Sequence, residues 1–197
     1  MVYAVTNRLV RRNLATGLEA PVGELTDGAL ALALSPDGRT VVTSGYASGG
    51  IITFWDVLGQ NKPVIGERHL GSRVEQLAFS HDGQTRASAG YDGKLGLWNV
   101  KERRALDLLR GHKAHVSSVI FSPDGRTVAT SAGDATVRLW NVATHREVAV
   151  LRPDAVWPIA FSPDGQWLAT GGNTIRFWHA PTFEELAAAQ KAKEERK

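Results

Sequence analysis

The sequence predicts an all-β protein in which one small antiparallel sheet is repeated along the chain. A first phrase recurs four times, and its serines are Ser35, Ser80, Ser122 and Ser162. The period is therefore about 40 to 45 residues, which is typical of a repeat architecture. A second phrase follows each copy and ends in tryptophan, at Trp55, Trp98, Trp140 and Trp178.

The first phrase predicts a hairpin turn. In "SPDG" (122–125), Pro123 presets φ at the first corner and Asp124 suits the second. Gly125 accepts the left-handed conformation that closes a short hairpin loop. The serine, aspartate and glycine recur in the other copies, with His81 in place of the proline in the second, so each repeat contains one such turn.

Strands are expected on both sides of this turn. "VSSVIF" (116–121) and "TVAT" (127–130) are short and rich in β-branched residues, which favours strands a and b. "TVRLW" (136–140) alternates apolar and polar residues and predicts a half-buried strand c. "REVAVL" (146–151) is less regular and is assigned to strand d.

The period and the order of the two phrases resemble the WD-repeat family of β-propellers, and bacterial-type members in particular. The resemblance implies four-stranded antiparallel blades, with four recognisable blades and a partial N-terminal one. It covers residues 1–181, and a charged tail follows at 182–197. The expected divisions are a half-blade at 1–27 and repeats at about 28–66, 67–109, 110–151 and 152–181.

In this family a histidine before strand a, a hydroxyl on strand b, an aspartate after strand b and the strand-c tryptophan form a hydrogen-bonded structural tetrad. The third copy matches it at His112, Thr130, Asp134 and Trp140. A histidine, a hydroxyl and a carboxylate are also the components of a hydrolytic triad. An active site needs its catalytic residues only once, whereas these residue types are repeated in the four copies and are only partly retained in three of them. We therefore predict a structural role.

The other three copies carry parts of the tetrad. The second copy has its histidine, His69, one residue out of register, and the first copy has Gly49 where the aspartate would fall. The tetrad residues retained in these copies are Ser88, Asp92 and Trp98, then Thr43 and Trp55, then Thr170 and Trp178.

The two ends of the repeat region predict an incomplete ring. Residues 4–17 resemble strand c with its turn, 18–25 fall where strand d belongs, and the last copy has no strand d. Thr182 and Glu185 form a capping box that predicts a short C-terminal helix. Closure within one chain, self-association and missing upstream blades are all open, with the last slightly favoured.

Family geometry places the loops before strand a and after strand b on one face, where family members bind proteins or peptides. Large rigid or forked side chains dominate binding energy, so exposed tyrosine, tryptophan, arginine and histidine there favour a contact surface. The predicted partner-binding residues are Tyr46, Arg73, Tyr91, His115, Asp154 and Trp157.

The opposite face collects the "SPDG" turns and has a basic character. Acidic residues interleave with the basic ones, which favours solvated charge over a nucleic-acid site. The basic residues of this turn face are Arg39, Lys101, Arg103, Arg104, Arg126 and Arg146.

Composition narrows the classes of function. The 197 residues carry a net charge of +3, contain no cysteine and include no signal peptide or long apolar run, which favours a cytoplasmic protein without a membrane segment. No GxSxG, HExxH or Walker motif occurs. We therefore expect a noncatalytic scaffold that binds a protein or peptide without cofactor or metal. The alternatives are a propeller-type hydrolase with a channel site and a nucleic-acid-associated factor that uses the turn face.

Overall fold

The computed structural model describes residues 1–46, 49–58, 63–68, 72–153, 157–172 and 174–180, and in them the chain forms 18 β-strands and no helix. The strands make five antiparallel sheets, in each of which strands adjacent in sequence pair with one another. This confirms the predicted all-β fold of repeated four-stranded sheets. The predicted C-terminal helix lies outside the described residues.

The sheets follow one another along the chain. The first sheet contains β1 (Val2–Val5), β2 (Arg8–Arg12) and β3 (Glu19–Glu24). The second contains β4 (Ala31–Leu34), β5 (Thr40–Ser44), β6 (Ile51–Asp56) and β7 (Val64–Arg68). The third contains β8 (Val74–Phe79), β9 (Thr85–Gly90), β10 (Lys94–Asn99) and β11 (Arg104–Arg110). The fourth contains β12 (Val116–Phe121), β13 (Thr127–Ala132), β14 (Thr136–Asn141) and β15 (Arg146–Leu151). The fifth contains β16 (Ile159–Phe161), β17 (Trp167–Thr170) and β18 (Arg176–His179).

The hairpin between the first two strands of each repeat is held by its serine as well as by its glycine. In the fourth sheet, Ser122 Oγ donates to the Asp124 carboxylate at 2.6 Å and accepts the Thr127 N–H at 3.0 Å. Gly125 has a φ of 70°, which glycine adopts without steric cost. The same serine–aspartate bond closes the other three hairpins, at Ser35, Ser80 and Ser162.

The N-terminal sheet has three strands, where the sequence pattern predicted strands c and d alone. Residues 2–5 form β1, which pairs with β2 through a two-residue turn, so that Val5 lies opposite Arg8. Thr6 in this turn has a φ of 54°, a conformation that β-branched residues rarely adopt. The two turn residues are Thr6 and Asn7, so the turn lacks the glycine or asparagine–glycine pair that indicates a hairpin in a sequence.

Apolar side chains fill the spaces between consecutive sheets, and the first strands of the second to fifth sheets lie side by side. Among the clusters formed by the described residues, none joins the fifth sheet to the first. Phe177 on the fifth sheet is 67% exposed. Residues representing the four inter-sheet clusters are Leu9 and Val41, Phe54 and Val74, Leu97 and Val119, and Val137 and Ile159.

Candidate functional site

Each repeat fixes its strand-c tryptophan by a hydrogen bond to a hydroxyl on strand b. In the fourth sheet, Trp140 Nε1 donates to Thr130 Oγ1 at 2.8 Å, and both residues are buried. A buried indole N–H needs an acceptor, and the strand-b hydroxyl supplies it from the same sheet. The equivalent bonds join Trp55 to Thr43 and Trp98 to Ser88, each at 2.8 Å, and Trp178 to Thr170 at 3.2 Å.

The fourth sheet extends this pair into a longer relay. His112 Nε2 lies 2.8 Å from Thr130 Oγ1, and His112 Nδ1 lies 3.2 Å from each carboxylate oxygen of Asp134. With the ring hydrogen on Nδ1, His112 donates to Asp134 and accepts from Thr130, which in turn accepts from Trp140. Asp134 also accepts the Lys113 N–H at 2.8 Å and the Thr136 hydroxyl at 2.7 Å. Every buried polar group of the relay is thereby paired.

Burial sets the charge state of the relay. The side chains of His112 and Asp134 are only 1% and 8% exposed. Burial lowers the pKa of His112, against the opposing effect of Asp134, so the imidazole is neutral at pH 7. Burial would raise the pKa of Asp134, but hydrogen bonds from Thr136, the Lys113 N–H and His112 outweigh it and lower this pKa to about 2. The hydrogen bond between the neutral imidazole and the Asp134 carboxylate pairs both polar groups inside the sheet. Thr130, whose hydroxyl bonds to the same imidazole, is fully buried.

The other repeats keep only part of this arrangement. In the third sheet, Asp92 accepts the Lys94 N–H at 3.2 Å and pairs with the Lys94 ammonium, and His69 lies outside the described residues. In the second sheet, buried Leu25 stands at the position of His112 in the aligned repeats, and Gly49 replaces the aspartate. The second sheet thus holds its tryptophan without a histidine.

Three of the predicted partner-binding residues form one stack on the loop face. The Arg73 guanidinium lies 4.2 Å from the centre of the Tyr91 ring, and the Tyr91 and His115 rings stack with centroids 5.5 Å apart. Tyr91 is 52% exposed, and His115 is exposed as well. The stack spans the third and fourth sheets and presents a cation and two aromatic rings to solvent.

Backbone pairing positions the stack. The Tyr91 N–H donates to the Arg73 carbonyl and the Gly133 N–H donates to the His115 carbonyl, each at 3.0 Å. A Cβ on Gly133 would lie 2.7 Å from His115 Cε1, so glycine lets the imidazole lie flat over the turn. Arg73 is also paired with Glu75 at 2.6 Å. The ends of the strands therefore hold the stack in place.

The remaining predicted contact residues flank this stack. Tyr46, after strand β5, and Trp157, before strand β16, are both largely exposed and lie at the same end of their sheets as Tyr91. Neither makes a ring contact with the stack within the described part of the chain. Asp154 lies outside the described residues.

The turn face carries paired rather than free charge at several positions. Arg104 Nε contacts Glu102 at 2.5 Å, and His145 lies 3.2 Å from Asp107. Arg103 lies over the Phe54 ring at 5.3 Å. This interleaving of basic groups with acidic and aromatic partners lowers the positive potential available to a polyanion.

Two polar residues between sheets, one fully buried and one partly buried, are absent from the sequence-based set of sites. Arg86 on β9 is fully buried and lies 5.2 Å from the Trp98 ring and 5.5 Å from the Phe54 ring. Gln76 Oε1 accepts the Val119 N–H at 2.7 Å and so links the third sheet to the fourth. The signal for Arg86 was present in the repeat alignment, where a charged residue replaces aliphatic ones at a core position.

Within the described ranges, no group of three or more histidine or acidic side chains is placed to hold a metal ion. The same part of the chain contains no helix that is long and apolar enough to span a membrane.

Comparisons with known proteins place these features in context. Residues 20–56, 64–99, 103–141 and 148–179 match the family model described as WD domain, G-beta repeat. The U3 snoRNP-associated protein-like EMB2271 of Arabidopsis thaliana is 31% identical over 90 residues, which is 46% of this chain and 18% of that protein. Antiviral protein SKI8 of Saccharomyces cerevisiae is 42% identical over 48 residues, which is 24% of this chain and 12% of that protein. The chain thus covers less than a fifth of the length of either relative.

Proposed function

The chain belongs to the WD-repeat family, and from this premise we propose that it is a noncatalytic scaffold whose loop face binds another protein or a peptide. Members of this family are in general protein-interaction scaffolds. One relative is named for its association with the U3 snoRNP, which is in keeping with a role in assembly. The finer proposal concerns the surface that this chain uses.

The solvent-exposed stack of Arg73, Tyr91 and His115 is the observation that carries the proposal. Tyrosine buries a large area with few rotatable bonds, and arginine offers a planar cation that stacks on aromatic rings. Residues of these two types dominate the energetics of interfaces. The stack is held in place by strand-end backbone bonds, so docking would cost little conformational entropy. Tyr46 and Trp157 extend the surface on either side.

The alternatives are less well supported. A hydrolase built on His112 and Thr130 would need a substrate to reach a hydroxyl that is fully buried. A nucleic-acid factor would need a continuous basic patch, whereas the turn face pairs Arg104 with Glu102.

Affinity capture from an extract of the source cells tests the proposal. The wild-type chain is compared with Tyr91→Ala on the loop face and with Arg126→Ala on the turn face. We expect at least one protein to be retained by the wild type and by Arg126→Ala and to be weakened by Tyr91→Ala by about 30-fold, the loss typical of a central interface residue. Equal retention by Tyr91→Ala and Arg126→Ala would count against the loop face.

A further inference from the structure

Three basic side chains on the loop face of the third and fourth sheets have no acidic partner in the described part of the chain. Arg110 ends strand β11, Lys113 lies in the loop before β12, and Arg152 follows β15. All three are exposed, and none of them takes part in an ion pair within the described ranges. These residues, termed the basic rim, therefore present their charges to solvent.

The other charged side chains near the basic rim are paired or buried. The ion pairs are Arg73–Glu75, Lys94–Asp92 and Arg138–Glu147. The Asp134 carboxylate belongs to the relay, and only 8% of its side chain is exposed. The charge that this part of the loop face offers to a ligand is therefore positive, and it comes from the basic rim.

The basic rim lies on the outer side of the Arg73–Tyr91–His115 stack. In the third sheet, Tyr91 follows β9, whereas Arg110 ends β11 at the outer edge, opposite Lys94 in the ladder. Neighbouring strands are about 4.8 Å apart, so two strand spacings separate Tyr91 from Arg110 by roughly 10 Å. An extended chain advances about 3.3 Å per residue. A segment that contacts the Tyr91 ring therefore reaches the basic rim about three residues later.

We propose that the basic rim binds the carboxylates of an acidic segment in the protein partner, while an apolar or aromatic residue of that segment packs on the Tyr91 and His115 rings. The inference rests on the proposed function and adds the chemistry of the partner. The geometry favours acidic residues about three or four positions from the residue on the rings. Amides of the same shape would lose the ionic contacts, and basic residues would be repelled.

A protein segment fits this surface better than a nucleic acid does. Proteins that bind nucleic acid with high affinity neutralise about six to ten phosphates, and their affinity depends on that number. The basic rim supplies Arg110, Lys113 and Arg152 alone, and the whole chain has a net charge of only +3. A short acidic segment matches this small number of cations.

Titration of the full chain with two synthetic peptides tests the inference without the partner. The first is acetyl-Gly-Phe-Gly-Gly-Glu-Glu-Gly-amide, and in the second glutamine replaces both glutamates. The readout is the NMR shift of the Tyr91 and His115 ring protons. In about 50 mM NaCl we expect the glutamate peptide to bind about fivefold more tightly than the glutamine peptide. In about 500 mM NaCl the ratio should fall below about twofold, because salt screens exposed charges.

Two double variants locate the source of this preference. Arg110→Gln/Lys113→Gln should bring the ratio between the two peptides close to one, because it removes two cations of the basic rim. Arg126→Gln/Arg146→Gln removes the same charge from exposed, unpaired positions on the turn face of the described structure and should keep the fivefold ratio. Circular dichroism confirms that both variants are folded.

Three results would overturn the inference. They are the absence of a saturable shift with either peptide, equal binding of the two peptides by the wild type, and an equal loss of preference in both double variants. Tighter binding of a uridylate octamer than of the glutamate peptide would also overturn it, in favour of a nucleic acid. A ratio of one together with a captured protein partner that Tyr91→Ala weakens would refute the acidic segment and leave the scaffold proposal standing. An intact fivefold ratio without such a partner would refute the scaffold proposal alone.

Discussion

Replacing Thr130 by valine removes the central hydroxyl of the His112–Asp134 relay while keeping the shape of the side chain. Thr130 is fully buried, accepts the Trp140 N–H at 2.8 Å and lies 2.8 Å from His112 Nε2. The change therefore leaves two buried polar groups without partners. Thr43→Val in the second sheet is the matched control, because there Leu25 replaces the histidine and only the Trp55 N–H is left unpaired.

The expected magnitudes follow from this count of unpaired groups. Each buried donor or acceptor that loses its partner costs about 2 kcal/mol of unfolding free energy. Thr130→Val should therefore destabilise the protein by about 4 kcal/mol and Thr43→Val by about 2 kcal/mol. Urea unfolding followed by circular dichroism and tryptophan fluorescence measures both. Equal losses for the two variants, or a larger loss for Thr43→Val, would refute the interpretation of the relay as a structural brace.

Three further predictions concern the relay, the stack and the turns. The Asp134→Asn variant should lose about 2 kcal/mol of unfolding free energy at pH 7, because the folded protein lowers the pKa of Asp134 from 3.8 to about 2. This stabilisation is complete above pH 3.8 and is lost as the pH falls toward 2. The acid unfolding curves of the wild type and the variant should therefore converge at low pH. Gly133→Ala should displace the His115 ring and weaken partner capture while the unfolding midpoint moves little, since the added Cβ meets an exposed ring at 2.7 Å. Ser122→Ala should cost about 1 kcal/mol in urea unfolding, because it removes the hydroxyl that bridges Asp124 and the Thr127 N–H, whereas Ser117→Ala provides a control for serine removal outside the turn.

Much of the fold could be predicted because the same local signals recur in four copies. Asp–Gly turns, preceded by proline in three of the four copies, and β-branched flanks specify the hairpins. Strands β12 and β15 begin and end at the predicted residues. Strand β1 could not be predicted, because its turn at Thr6 depends on a backbone conformation that the residue type does not signal. The sequence showed that Ser122 recurs in each copy, but not that its hydroxyl bonds to Asp124 in the turn.

The sequence predicted the face on which the candidate site lies, but not the contacts between its side chains. Arg73, Tyr91 and His115 were assigned to one face by repeat register, and that register places them on adjacent sheets. Their stacking depends on the close approach of His115 to Gly133, which only the three-dimensional packing reveals.

Site-specific photocrosslinking tests the central claim most directly, since it reports which face meets a partner inside the cell. A photoreactive phenylalanine analogue is placed at Tyr91 on the loop face or, in a second strain, at Arg126 on the turn face. The account predicts a discrete protein crosslink from position 91 and none from position 126. A crosslink from position 126 alone, or nucleic acid as the crosslinked species, would contradict it.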